Sequence, residues 1–297
     1  MIKVIAADMD GTLLNPQHTL SQRTYETIKE IQKAGIRFMI ATGRDYRMAC
    51  DALRQFRLDC DWITGSGAEI YDPAGKLLQT IPMDQGCFEE IVACVRKYPA
   101  LIRFCAAGTD FVLEADADNL EQKLMDEARL FLGGENEEEI RRTEQFQNLL
   151  KRIRRVGSLE ELAAENIPVF KVFISARSGE TIQRIWKETE KIPGLALASS
   201  FFNNLEITDI RAQKGPAIEQ YIETLGYQKE EVMVLGDSLN DLSMFEAGFG
   251  AAVAMENAHE QVKQAAGYLT KSNGEDGAAY AMELVLQNRL DRIRKPV

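Results

Sequence analysis

Two aspartates stand one residue apart at the end of an apolar run, in "DMDGTLL" (residues 8–14). Like charges that close repel, and the end of a buried segment tolerates Asp8 and Asp10 together only where a cation or a reaction offsets the repulsion. Three further clusters carry compatible chemistry. "ATGR" (41–44) supplies Thr42, Gly43 and Arg44, Lys214 opens a helical pattern, and "GDSLND" (236–241) supplies Asp237, Ser238, Asn240 and Asp241. Together they form the inventory for a hard cation plus a phosphate. Mg²⁺ takes oxygen ligands, few of them carboxylates, and shares a substrate phosphate. A lysine and backbone N–H groups neutralise the remaining phosphate oxygens. In an extended segment residues i and i+2 point the same way, so Asp8 and Asp10 can share one side while Met9 turns into the core. Gly11 allows a sharp turn that leaves its N–H near a phosphate.

The elements that must position these groups read as follows. "KVIAADM" (3–9) and "IRFMIAT" (36–42) are short, continuous apolar runs, the mark of strands buried on both faces. Between them lies a helix capped by Ser21 and stopped by Gly35. A second helix opens within 43–56. The same rhythm returns at 214–226 (helix), 231–237 (strand), 241–248 (helix) and 251–255 (strand), with helical pattern continuing to the C-terminus. Strand–helix alternation predicts a doubly wound α/β parallel sheet. In such sheets ligands bind beyond the carboxyl ends of the strands, which is where the chemistry-bearing residues fall. The middle differs. Adjacent strand candidates at 102–108 and 110–116 join at Gly108. Helices are expected over 118–132, 135–152 and 179–191, and strands at 169–175, 194–200 and 203–208. Short joints between strands predict an antiparallel α+β module, inserted over 84–209 into a core made of 1–83 and 210–297.

Composition excludes several classes. A formal net charge of −11 over 297 residues argues against nucleic acid as a partner. No segment approaches 18 consecutive apolar residues, so no membrane span is expected, and the first ten residues leave no room for a signal peptide. Five cysteines without a C-x-x-C pair read as free thiols of a cytoplasmic protein. Two histidines leave no multi-His zinc site and argue against a His-based triad. "GSGAEI" (65–70) begins like a dinucleotide loop but lacks its third glycine. The acidic run "GENEEEI" (134–140) is expected on a solvated helix face, balanced by "KRIRR" (151–155), and Arg103, Thr109 and Asp110 are expected on solvated surface.

In order along the chain, "DMDGTLL", "ATGR", Lys214 and "GDSLND" resemble the four signatures of the haloacid dehalogenase (HAD) superfamily. The tail "AVAMENA…GYLTKSNGEDGAA" (252–279) resembles its Cof-type subgroup, whose members carry a type IIB α/β cap between the second and third motifs. The resemblance covers nearly the whole chain outside the cap. It implies a Rossmann-like core with an inserted cap, and a Mg²⁺-dependent phosphatase of a small phosphorylated metabolite. It implies Asp8 as the nucleophile that forms an aspartyl-phosphate, and Asp10 as general acid and base. Asp8, the backbone carbonyl of Asp10, and Asp237 would bind Mg²⁺, with Asp241 beside them. Thr42, the N–H of Gly43 and Lys214 would hold the phosphoryl group, and Asn240 would support the phosphate or the lysine.

Two positions depart from the subgroup pattern. Ser66 stands where Asn is common, and Glu256 where the tail usually has Gly. Arg44 can touch substrate or pair with an acid. A phosphotransferase or phosphomutase, and a non-catalytic regulator, are the rival readings. Sugar phosphates are the substrate expectation, with flavin and pyridoxal phosphates open, for a monomer or homodimer.

Overall fold

The computed structural model describes residues 1–132 and 136–295. Strand β1 (Val4–Ala7) leads through helix α1 (Gln22–Lys33) to β2 (Arg37–Ala41), and through α2 (Tyr46–Ala52) to β3 (Asp61–Thr64). Local signals set these boundaries. Ser21 caps α1 by accepting from the Thr24 N–H, Asp45 caps α2 by accepting from Met48, and Gly35 ends the first helix at φ +82°. A hairpin of β4 (Glu69–Tyr71) and β5 (Leu77–Thr80) follows.

The chain then builds a separate unit, Pro82–Ile210. Its helices are α3 (Phe88–Val95), α4 (Leu120–Leu132), α5 (Glu137–Arg142), α6 (Glu144–Arg152), α7 (Leu159–Ala164) and α8 (Gly179–Thr189). Its strands are β6 (Ala100–Ala106), β7 (Thr109–Leu113), β8 (Ile153–Val156), β9 (Val169–Ala176), β10 (Leu195–Ala198) and β11 (Asn204–Asp209), in the order β10-β11-β9-β6-β7-β8. The expected hairpin turns at Gly108 (φ +75°). All pairings are antiparallel except β7 with β8. That parallel edge strand overlaps the basic stretch 151–155, whose charges masked its pattern.

Alternation along these strands sorts the side chains. Ile102, Phe104, Val172, Ile174, Leu205 and Ile207 pack with α3 and α8 in one core. Leu101 and Val112 pack with α4, α5 and α6 in another. The faces that hold Arg103 and Asp110 are not solvated as expected. Arg103 is 5% exposed and Asp110 3%, joined Nη1 to Oδ2 at 2.6 Å. Arg103 also binds Glu127 of α4, and Arg152 reaches Asp110 at 3.2 Å. Thr109 is half-buried and donates to the Arg152 carbonyl. The buried charges tolerate the interior because each finds an opposite partner, which single-residue polarity cannot reveal. The expected helix over 135–152 is two helices broken at Thr143 (ψ 143°), which caps the second through Phe146. Gly134 and Glu135 of the acidic run lie outside the described residues. Its remainder pairs with Arg129 and Arg142, while Arg152 and Arg154 of the basic stretch pair with Asp110 and Glu165.

The second compact unit is formed by Met1–Ile81 with Arg211–Val297. After residue 210 come α9 (Lys214–Thr224), β12 (Val232–Gly236), α10 (Leu242–Glu246), β13 (Ala251–Ala254), α11 (Glu260–Ala265), β14 (Tyr268–Leu269) and α12 (Gly277–Leu286). The two-residue β14 falls where helix alone was expected. The sheet order is β14-β13-β12-β1-β2-β3-β4-β5. The first six strands are parallel, and β4 and β5 add an antiparallel edge that the all-parallel expectation lacked. Strands β1, β2 and β3 progress in one direction, and β12, β13 and β14 in the other. The order therefore reverses between β1 and β12. Right-handed crossovers that run in opposite directions place helices on opposite faces. Burial on both faces explains why the residues of β1, β12 and most of β2 are uniformly apolar and buried.

Replacing Arg103 with Leu should leave Asp110 and Glu127 buried with much of their compensation gone. The expected cost is about 3–5 kcal/mol, read as a fall in the urea midpoint. A loss below about 1 kcal/mol, the ceiling for an exposed pair, would show that the network is solvated.

Candidate active site

Asp8 follows β1 and Asp237 follows β12, so the reversal of strand order sets the first and last motifs side by side. The Asp8 N–H donates to the Leu235 carbonyl at 2.9 Å and locks the register. Met9 is fully buried, as its alternation requires. Gly11 turns the chain at φ +81°, and a Cβ there would stand 2.3 Å from Asp237 Oδ2, so no other residue fits the turn without moving that carboxylate. Thr12, the last residue of D-x-D-G-T, donates its hydroxyl to Asp237 Oδ1 at 2.8 Å.

Lys214 begins α9 and is completely buried. Its Nζ lies 2.6 Å from Asp8 Oδ1, 2.6 Å from Asp241 Oδ1 and 3.3 Å from Asn240 Oδ1. Asn240 is thus a partner of the lysine, and it also accepts from Ser238 Oγ. The other oxygen of Asp241 accepts from the backbone N–H groups of Asp237 and Ser238 at 2.9 and 3.0 Å. Through these contacts Asp241 shapes the loop that carries Asp237.

Asp10 is turned to a different cation. Arg44 Nε donates to its Oδ2 at 2.8 Å and Nη2 to its Oδ1 at 2.6 Å, with His18 Nδ1 at 3.8 Å from Oδ1. Of the two possibilities left open for Arg44, the pairing with an acid is present here. Thr42 is buried, and its hydroxyl accepts from the Arg44 N–H at 3.2 Å; Gly43 is half-buried between them. The loop after β3 sits alongside, where Ser66 donates its N–H to the Thr42 carbonyl. Ser66 adopts φ +62°. Asn tolerates that left-handed backbone better than Ser does, which gives a conformational reason for Asn at this position.

Sequence reasoning missed a second layer. Asn257 donates to the Gly11 carbonyl and Asn273 to the Leu14 carbonyl, each at 2.8 Å, and the Asn273 N–H donates to Asn257 Oδ1. The tail thereby clamps the first motif loop. The signal was the pair of Asn residues in "MENA" and "KSNG". Glu256 is an exposed turn residue whose N–H donates to Lys271, so its departure from Gly does not disturb the clamp.

Electrostatics follow from this geometry. Burial, then the Asp241 charge, pushes the Asp8 carboxyl well above the ordinary carboxylate range, against the pull of Lys214. Burial and Asp241 likewise push Asp237 up to about 8. For Asp10 burial acts upward too, but His18 and Arg44 outweigh it and hold the carboxyl below its ordinary value. Burial opposes the charge of Lys214, yet Asp241 and Asp8 keep it firmly protonated. Asp8, Asp237 and Asp241 each offer one oxygen within 4.8 Å of the others. Asp8 Oδ2 is buried without a hydrogen-bond partner. A hard-oxygen set with an orphaned carboxylate oxygen fits a small divalent cation such as Mg²⁺.

Comparison with known proteins agrees with this arrangement. The model of the haloacid dehalogenase-like hydrolase family matches residues 5–282. The chain is 29% identical over 287 residues to the phosphatase YwpJ of Bacillus subtilis, covering 96% of this chain and all of that one. It is 28% identical to the B. subtilis 5-amino-6-(5-phospho-D-ribitylamino)uracil phosphatase YwtE, with 97% of this chain and 99% of that one covered. A solved haloacid dehalogenase-like hydrolase from B. subtilis superposes with a TM-score of 0.82 at 28% identity, over 95% of this chain and 99% of that one. With its motif residues gathered around one strand-order reversal, the chain belongs to the haloacid dehalogenase-like hydrolase family, in its Cof-type branch.

Proposed function

We propose that this hydrolase is a Mg²⁺-dependent phosphatase that cleaves a small phosphorylated metabolite through an aspartyl-phosphate on Asp8. One observation carries the reading: Asp8 stands at the strand-order reversal with one oxygen on the buried Lys214 ammonium and the other buried without a partner. That is a carboxylate held at a ligand-binding position with an oxygen left for chemistry.

Asp8 attacks phosphorus, the bond from phosphorus to the ester oxygen breaks, and the departing alkoxide takes a proton from Asp10. Water then attacks the acyl phosphate, passes a proton to Asp10, and inorganic phosphate leaves with Asp8 restored. Lys214, Thr42 and the N–H groups of Gly11 and Gly43 hold the phosphoryl oxygens, while Asn240 orients the lysine. Mg²⁺ held by Asp8, Asp237 and the Asp10 carbonyl, with Asp241 behind them, would offset repulsion between carboxylates and phosphate. The unit 82–210 stands in the sequence where the family carries its cap, and we assign it substrate selection. A sugar or sugar-alcohol phosphate is the substrate class; YwtE, by its name, acts on a phosphorylated ribityl compound. Five free cysteines support a cytoplasmic setting.

Asp8→Asn should lose turnover on every substrate, because an amide cannot form the acyl phosphate. Asp10→Asn should depend on the leaving group. An aryl phosphate still phosphorylates Asp8, whereas an alkyl phosphate falls by about 10²–10⁴. Acid-trapped phosphoenzyme should accumulate in Asp10→Asn with the aryl substrate. Equal losses on both substrates, with nothing trapped, would sink these roles.

Stability should report the cation independently of turnover. In chelator, Asp237 keeps its proton up to about 8, whereas the unfolded chain sheds it near pH 4. The native state binds more protons across that window, so stability falls as pH rises through it, and Asp8 acts in the same direction. Asp10, held low, titrates below the window. Mg²⁺ favours the ionised carboxylates, so its increase in Tm should be larger at about pH 8 than at about pH 5. A Mg²⁺ shift that is absent, or that shrinks as pH rises, would remove the cation from the scheme.

A further inference from the structure

The Arg44–Asp10 pair differs from every other contact in the site. Lys214 meets Asp8 with a single ammonium, but Arg44 grips both oxygens of Asp10 with a planar fork, at 2.8 and 2.6 Å. The arginine is itself fixed at both ends of its peptide: its N–H donates to Thr42 Oγ1 at 3.2 Å, and its carbonyl accepts from the Gly65 N–H at 2.8 Å. The first of these loops ends β2 and the second ends β3, so the guanidinium is mounted on the frame of the sheet. A carboxylate has about four lone-pair sites. The fork takes one on each oxygen, so the carboxylate plane is fixed by two parallel bonds. It also holds the carboxylate out of the Asp8, Asp237 and Asp241 group, where a fourth negative charge would compete for the same cation. His18 stands on the same carboxylate, its Nδ1 3.8 Å from Oδ1, and joins Arg44 in favouring its charged form.

We infer that Arg44 is the positioning residue of Asp10, fixing the plane in which that carboxyl exchanges protons with the leaving oxygen and then with water. The inference rests on the proposed phosphatase reading. Arg44 then acts on the steps that need Asp10 and leaves attack by Asp8 largely untouched. Arg and Lys are not equivalent here, because an ammonium cannot hold two oxygens in one plane. The alternative, direct contact of Arg44 with the substrate, would instead weaken substrates irrespective of proton demand.

The test is kinetic, with p-nitrophenyl phosphate and glycerol 3-phosphate as probes. Wild type, Arg44→Ala, Arg44→Lys, Asp10→Asn and the Arg44→Ala/Asp10→Asn double variant are compared in Mg²⁺. Arg44→Ala should lower kcat/KM about 10–100-fold on the alkyl substrate, part of what general acid catalysis supplies, and less than about threefold on the aryl one. Arg44→Lys, which keeps the charge and so protects the fold, should show the same leaving-group bias. Adding Arg44→Ala to Asp10→Asn should cost less than about twofold, because residues that act as one unit are not additive. Full additivity in the double variant, or equal losses on both substrates, would overturn the role of Arg44 while leaving the phosphatase intact. A wild type that releases no phosphate from either probe, or an Asp10→Asn without leaving-group bias, would overturn the underlying reading and this inference with it.

Discussion

A buried ammonium holds the site together. Lys214, with no exposed surface, sits between Asp8 of the first motif and Asp241 of the last, 2.6 Å from each. Three carboxylates in one dry pocket would repel one another strongly, and an unpaired charge there costs several kcal/mol. The lysine makes the cluster tolerable, and it ties the start of α9 to the ends of β1 and β12. Its position follows from the close approach of α9 to α10: a Cβ on Gly215 would meet the Ser243 carbonyl at 2.1 Å. The glycine beside the lysine thus sets how near the helix can come, and hence where Nζ falls.

The opening repulsion between Asp8 and Asp10 has a geometric resolution. The two side chains leave the strand end toward different cations. Asp8 is shared among Lys214 and the acidic group, and Asp10 is taken by Arg44. Neighbouring acids therefore acquire opposite character, one pushed toward the neutral form by burial and one held ionised. This split belongs to the site without its cation and is opposite to the proposed roles, in which Asp8 attacks as the carboxylate and Asp10 enters protonated; a cation on Asp8 favours its ionised form.

Much of this was legible in the sequence. Continuous apolar runs announced β1, β2 and β12, Ser21 and Gly35 bracketed α1, and the positions of the acids after those runs located the site. What the sequence hid was long-range pairing. Nothing local to Arg103 or Asp110 shows that each is buried against a partner, and nothing local to Arg44 says that it meets residue 10. The strand Ile153–Val156 was hidden by its arginines, of which Arg154 pairs with Glu165 and lies over the Phe111 ring. The clamp from Asn257 and Asn273 onto the first motif joins residues about 250 positions apart, and only the folded chain brings them together.

The interrupted sheet has a consequence for the order in which the protein is made. Strand β1 pairs on one side with β2, its near neighbour in sequence, and on the other with β12, where Val4 opposes Val232. A ribosome adds residues at roughly 5–20 per second. The second partner therefore emerges roughly 10–45 seconds after the first strand, with the whole of 82–210 synthesised in between. Throughout that interval one edge of a fully apolar strand has no partner, the condition under which nascent chains pair wrongly with each other. Unit 82–210 has cores of its own and needs nothing downstream to form them. Lys214, Asp237 and Asp241 thus reach Asp8 late, and a translational pause or truncation just beyond residue 210 would yield a chain with a complete inserted unit and five of the eight strands of the sheet.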